Sequence, residues 1–214
     1  YFLCLSLFLL VFFLVSFFMF QKIKFAKYFF IILISLLAYQ VYEGNLQRKQ
    51  KKLVVYNISK TSAIDFIDGK KNYLIADSSF IHNESRLLFH VRHHWWDLGL
   101  MENLFYDLDK ISEIKGKNIF LKGNFVQFHN KRIAFITKKF HLAKREEKIK
   151  MDYIVISGSP KITIEELKGL FDFYKIIMDA SNTLYATEKM MNEAKNAKVD
   201  CYSVSRNGAF VAEL

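Results

Sequence analysis

Cysteine is scarce in this chain, with two among 214 residues. Cys4 falls in an apolar N-terminal run and Cys201 near the opposite end, so no disulfide framework is expected, and cysteine usage leaves the redox compartment open. Charge is missing altogether from residues 2–20. At about 1.5 Å per residue such a run, as a helix, crosses most of the roughly 30 Å of bilayer hydrocarbon while satisfying its own backbone groups. A cleaved signal peptide is disfavoured by two further absences: no basic segment precedes the run, and no small-residue cleavage site precedes Gln21. There is no internal repeat and no low-complexity tract. Tyr1 stands in place of Met, and the chain is read as a fragment of a membrane protein.

A second uncharged run, residues 28–42, follows a short connection that carries Lys22, Lys24 and Lys27. Phe25 and Ala26 lengthen this run while Lys24 and Lys27 reach back to the interface, so residues 1–42 are expected to form two transmembrane helices. Residues 43–52 are expected to be a basic juxtamembrane linker. The chain carries a net charge of +10, most of it between residues 21 and 52, where seven Lys or Arg face only Glu43. Such a cluster attracts anionic lipid head groups. Orientation stays open on charge alone: Lys22, Lys24 and Lys27 favour a cytoplasmic turn, whereas Arg48, Lys49, Lys51 and Lys52 favour the reverse.

From residue 53 to 214 the pattern changes to apolar strands and amphipathic helices, enough chain for one core. Strands are predicted over 53–56, 63–67 and 73–76, the last two joined by a turn containing Gly69. A helix is predicted over 84–98, ending at Gly99. A hairpin is predicted to join 118–128 with 132–136 through His129, Asn130 and Lys131. Further on come a strand at 153–157, a helix opened by the Thr163/Glu166 capping box, a strand at 174–178 and a helix over 185–197. A closing hairpin is predicted from 202–205 and 209–212, turned by Asn207 and Gly208. Alternation of strand and helix implies an α/β sandwich.

Three constellations could carry chemistry. His90 and His94 share one face of a helix at the spacing of zinc-binding helices, but no Glu follows His90, and Leu87, Val91 and Leu98 lie on the same side. Two readings of His93–Trp96 stand side by side: an aromatic patch at the lipid interface, or side chains packed against a sheet. Lys131, Arg132, Lys138, Lys139, Lys144, Arg145, Lys148 and Lys150 face only Glu146 and Glu147, with Phe140 and His141 between them. Cations interleaved with aromatics suit single-stranded nucleic acid, but a solvated loop or helix face is the preferred reading of them.

Several local signatures lie between residues 61 and 214: the turn Ile64-Asp65-Phe66-Ile67-Asp68-Gly69, the strand end Ile75-Ala76-Asp77-Ser78-Ser79, the segment 152–160, Ser181-Asn182, Tyr185 and Asn207-Gly208-Ala209-Phe210. Together they resemble the C-terminal region of ComEC-type competence proteins, in the version found in Bacteroidetes. The resemblance implies a metallo-β-lactamase-like αββα sandwich behind a multi-pass inner-membrane channel. It further implies an extracytoplasmic domain and a role in passing single-stranded DNA across the inner membrane during natural transformation. The partners so implied are membrane lipid, single-stranded DNA and other competence proteins.

The departures from that family matter as much. Catalytic members resemble one another in a His-x-His-x-Asp-His loop that this chain lacks. Where they carry His-His-Gly-Ser, this chain has Ile156-Ser157-Gly158-Ser159, and where they carry Tyr-Gly-His-Pro it has Tyr185-Ala186-Thr187-Glu188. Asp77 and Asp179 remain at strand ends, and one carboxylate does not hold a divalent metal against water. The domain is therefore expected to be degenerate and non-catalytic, with no cofactor. Two alternatives stay open: a metal-dependent nuclease or hydrolase using Asp77, His90, His94 and Asp179, and a membrane-anchored interaction domain with no nucleic-acid role.

Overall fold

A computed structural model describes residues 2–140 and 147–214. The chain forms two compact units, one ending at Lys49 and the other spanning Gln50–Leu214. In the first, helices α1 (Phe2–Phe20) and α2 (Ile23–Lys49) pack as a hairpin about a turn where Gln21 adopts φ +49°. Ring contacts of Phe13 with Tyr28 at 5.5 Å and Phe20 with Phe25 at 5.8 Å hold it. Phe8, Phe18, Ile31 and Ile34 are left exposed on the hairpin's surface. Among the described residues α2 is the one helix long and apolar enough to cross a membrane. It continues to Lys49, so most of the stretch expected as a linker is helical.

The second unit is an α/β sandwich. A five-stranded sheet has the order β12-β1-β2-β3-β4, with β1 (Lys51–Val55), β2 (Ala63–Asp68), β3 (Lys71–Ala76), β4 (Glu102–Asp107) and β12 (Phe210–Glu213). A seven-stranded sheet runs β11-β10-β9-β8-β7-β6-β5. Its strands are β5 (Glu113–Lys115), β6 (Ile119–Lys122), β7 (Phe125–Phe128), β8 (Lys131–Ile136), β9 (Ile149–Ile156), β10 (Phe171–Met178) and β11 (Asp200–Ser203). Strands β8 to β11 are parallel. Their apolar runs, such as Ile154-Val155-Ile156, are buried on both faces, as parallel strands covered on both sides require.

Three apolar layers follow from this arrangement. Between the sheets, Leu53, Phe66 and Ile75 meet Phe128, Phe135, Val155 and Ile177. Outside the five-stranded sheet, Val54, Ile67 and Leu74 pack against Phe80, Leu87, Val91 and Trp95. These come from α3 (Ser78–Ile81), α4 (Glu84–Leu87) and α5 (His93–Asp97), the last two joined by a π-helical turn, Leu88–Arg92. Outside the other sheet, Ile154 and Ile176 pack against Leu167 of α6 (Ile164–Leu170) and Met190 of α7 (Leu184–Asn196). Thr163 and Glu166 form the predicted capping box.

Three predicted elements are corrected. The helix over 84–98 is interrupted by the π turn. Residues 118–128 form a hairpin by themselves, β6 and β7, before β8 pairs with β7. The closing hairpin does not form: β11 joins β10, the short helix α8 (Val204–Asn207) intervenes, and β12 crosses to pair with β1.

Candidate functional site

At one end of the sandwich, strand β3 leads into Asp77, β9 into Ser157 and β10 into Asp179. The Ser62 amide donates to Asp77 Oδ2 at 2.8 Å, and the hydroxyls of Ser62 and Ser157 meet at 3.2 Å. Ser157 gives its proton to Asp179 Oδ2 at 2.5 Å, so Ser62 is the donor to Ser157. Oδ1 of Asp179 accepts from the Ser181 amide, the Ser181 hydroxyl and Asn182 Nδ2. Asp179 is buried, and desolvation pushes its carboxyl up to about 6 despite these donors. The loop after β9 is clasped to the start of α7: the Gly158 amide donates to Ser181 Oγ at 2.7 Å and the Ser159 amide to Asn182 Oδ1 at 2.8 Å. Ser159 sits at φ +56°, a costly conformation for a non-glycine residue that these bonds maintain.

A metal does not fit this arrangement. Both oxygens of Asp179 are taken by hydroxyl and amide donors, and Asp77 is bonded to a backbone amide. Asp77 is raised by burial and by the Asp109 and Asp107 carboxylates, while Arg86 opposes the shift. His90 is exposed, whereas His94 turns inward, its Nδ1 at 3.0 Å from the Tyr56 hydroxyl. The π turn between them breaks the helical spacing on which their pairing depended. Among the described residues no three His, Cys, Asp or Glu side chains group as a metal site.

A second buried polar network is one that sequence reasoning misses, because there Asp65 figures only as part of a motif. Asp65, fully buried, accepts from Asn72 Nδ2 at 2.8 and 3.0 Å, Trp95 Nε1 at 2.8 Å and the Tyr56 hydroxyl at 3.2 Å. Burial raises Asp65 to about 6 and drives Tyr56 upward, while burial and Lys52 lower His94. Because the Tyr56 hydroxyl donates to Asp65, its oxygen accepts from His94, which carries its proton on Nδ1. The available signal was an Asp on the strand face that also carries the apolar Ala63 and Ile67.

The basic residues divide between two ends. Lys131 and Arg132 start β8, and Asp152 accepts from Lys131 Nζ at 2.9 Å and from the Arg132 amide at 2.9 Å. Lys150 lies beside them on β9, and Lys148 just before it. Lys138 and Lys139 follow the other end of β8, where Lys139 pairs with Asp109 at 2.8 Å. Lys144 and Arg145 lie outside the described residues. At the Lys138 end two open grooves of about 480 and 530 Å³ share Ser159, Pro160, Lys161 and Ile162. Together they run from Lys138 and Phe140 past Lys161 to Tyr185 and Lys189, and Tyr185 is 77% exposed.

Fold and site together define an α/β sandwich whose strand-end carboxylates are held by hydroxyls and amides. The chain belongs to the ComEC C-terminal domain family, whose model matches residues 53–214. No curated protein and no solved structure matches it.

Proposed function

We propose that this chain is the membrane-anchored C-terminal part of a DNA-uptake protein and serves the passage of single-stranded DNA across the inner membrane in natural transformation. Its sandwich, read as a degenerate metallo-β-lactamase-like domain, handles or scaffolds the strand without cleaving it. The family match over residues 53–214 carries the DNA-uptake role. The saturated carboxylate of Asp179 supports the non-catalytic part, since a metal would have to displace four hydrogen bonds to reach it. The groove at the Lys138 end supports contact with DNA: Lys138, Lys161 and Lys189 supply cations for phosphates, and Tyr185 and Phe140 supply rings for bases. In this reading Lys131, Arg132, Lys148 and Lys150, at the opposite end, do not share the strand with Lys138.

Fluorescence anisotropy with a labelled single-stranded oligonucleotide, titrated against the full chain in detergent across a salt series, tests this. Replacing Lys138, Lys161 and Lys189 with Glu should weaken binding about tenfold or more and flatten the salt slope by about one unit for each phosphate no longer neutralised. Replacing Lys131 and Arg132 should leave both unchanged. Absence of binding at low salt would move the chain to a membrane-anchored interaction domain, and one or two tightly bound metal ions with nuclease activity would restore the hydrolase reading.

A further inference from the structure

The helical layer outside the five-stranded sheet has two faces. Leu87, Val91 and Trp95 are buried against the sheet. Phe89, His93 and Trp96 lie opposite, with Phe89 77% and Trp96 60% exposed, and Met101 just beyond the helix is 77% exposed. His93 packs edge-on to Trp96 at 5.0 Å, fixing the indole. Large apolar side chains gathered on one outer face mark a contact surface.

Its neighbourhood in the chain identifies the contact. Gln50 directly follows Lys49, the last residue of α2, and its side-chain amide donates to Leu98 O and to Gly69 O, both at 2.8 Å. The Met101 amide donates to Lys70 O at 2.8 Å, so Leu98, Gly69, Lys70 and Met101 collect around the residue through which the domain is tethered. The apolar run ends at residue 42, and residues 43–49 as helix cover about 10 Å, little more than the head-group layer. Trp96, two residues from Leu98, lies close in the fold to Gln50, the residue that follows α2. Arg92 within the same stretch and Lys70 at the turn suit anionic head groups, and Trp, His and Met suit the boundary between head groups and acyl chains.

We propose that the outer stripe Phe89–His93–Trp96, together with Met101, is a lipid-contact surface that lays the domain against the membrane anchoring it. The proposal rests on the membrane attachment stated above. Within the fold, the groove at the Lys138 end lies at the opposite end of the strands from Gln50.

The chain has two tryptophans, and Trp95 is buried, so the emission that disappears on Trp96→Phe reports Trp96 alone. The full chain is incorporated in vesicles of phosphatidylethanolamine and phosphatidylglycerol, with plain or acyl-brominated lipid. Flotation with the vesicles tests the attachment itself. In floated protein the Trp96 component should fall about twofold in intensity on bromination, because an interfacial indole reaches acyl carbons, while the emission remaining in Trp96→Phe is unchanged. Floated protein whose Trp96 is unquenched by bromine overturns the inference and leaves the attachment standing. Trp96 shielded from aqueous acrylamide yet untouched by bromine overturns it in favour of a protein partner. Failure to float overturns both.

Discussion

Ser62 and Ser157, from different sheets and 95 residues apart in sequence, meet hydroxyl to hydroxyl at 3.2 Å. Through this contact the first β-hairpin reaches Asp179, and this end of the sandwich is closed by hydrogen bonds. At the opposite end Asp68 makes the matching connection, accepting from Asn118 at 2.7 Å and meeting His129 at 3.0 Å.

Asp179→Ala leaves the donors of Ser157, Ser181 and Asn182 without their acceptor in a buried site, and should cost about 2–4 kcal/mol. Asp77→Ala frees one backbone amide at a half-buried position and should cost about 1 kcal/mol. Urea unfolding of both variants checks the order, and a larger destabilisation at Asp77 would contradict the site as described.

Stability should also depend on pH in a particular sense. Asp65 and Asp179 titrate near 6 in the fold because burial disfavours their charge, against about 4 in the unfolded chain. Between those values the native state holds protons that the unfolded chain has released, so their contribution is fully present below about pH 4 and is lost as pH rises towards 6. Asp107 and Asp152, lowered by hydrogen bonds and by Lys110 and Lys131 respectively, act in the opposite sense. The difference in thermal midpoint between wild type and Asp179→Asn isolates one group, and it should shrink across that window. A flat difference would refute the shift.

Gly116 is required by space. A Cβ there would lie 2.8 Å from Ile119 Cγ2 and 2.8 Å from the Tyr73 hydroxyl oxygen. Gly116→Ala should destabilise by about 1–3 kcal/mol. Gly169→Ala, in α6 with nothing within 4 Å, should instead stabilise by about 0.5–1 kcal/mol. Chemical denaturation of the pair reads both signs.

Topology is decided by a fusion. On the proposed topology, with Lys22, Lys24 and Lys27 cytoplasmic and both helices spanning, a reporter active only in the cytoplasm and placed after Leu214 of the full-length protein should stay silent. Strong activity would reverse the orientation.

Much of the fold was legible because local chemistry and tertiary structure agree. The apolar run of β9, the Thr163/Glu166 box and the turn at Gly69 all carry their signals within a few residues. Strand β4 was missed because Glu102–Asp107 is an edge strand without clean alternation, and β5 because three residues carry no period. The exchange of sheets between β11 and β12 was hidden, since Asn207-Gly208 suits a hairpin as well as the end of a short helix. Strand-end carboxylates could be named from sequence. The saturation of Asp179 could not, because Ser62, Ser157, Ser181 and Asn182 are assembled by separate segments. The Asp65 network was likewise out of reach, its donors Tyr56, Asn72 and Trp95 coming from three.

Strand β12 pairs with β1 along Lys52–Val55, and the Leu214 amide donates to Lys51 O at 3.0 Å. On the ribosome, β1, which emerges just behind α2, therefore waits for its second neighbour until β12 has been synthesised. During that interval the open edge of Leu53, Val54 and Val55 is guarded by Lys51 and Lys52 at its start, charges that discourage pairing with a neighbouring nascent chain.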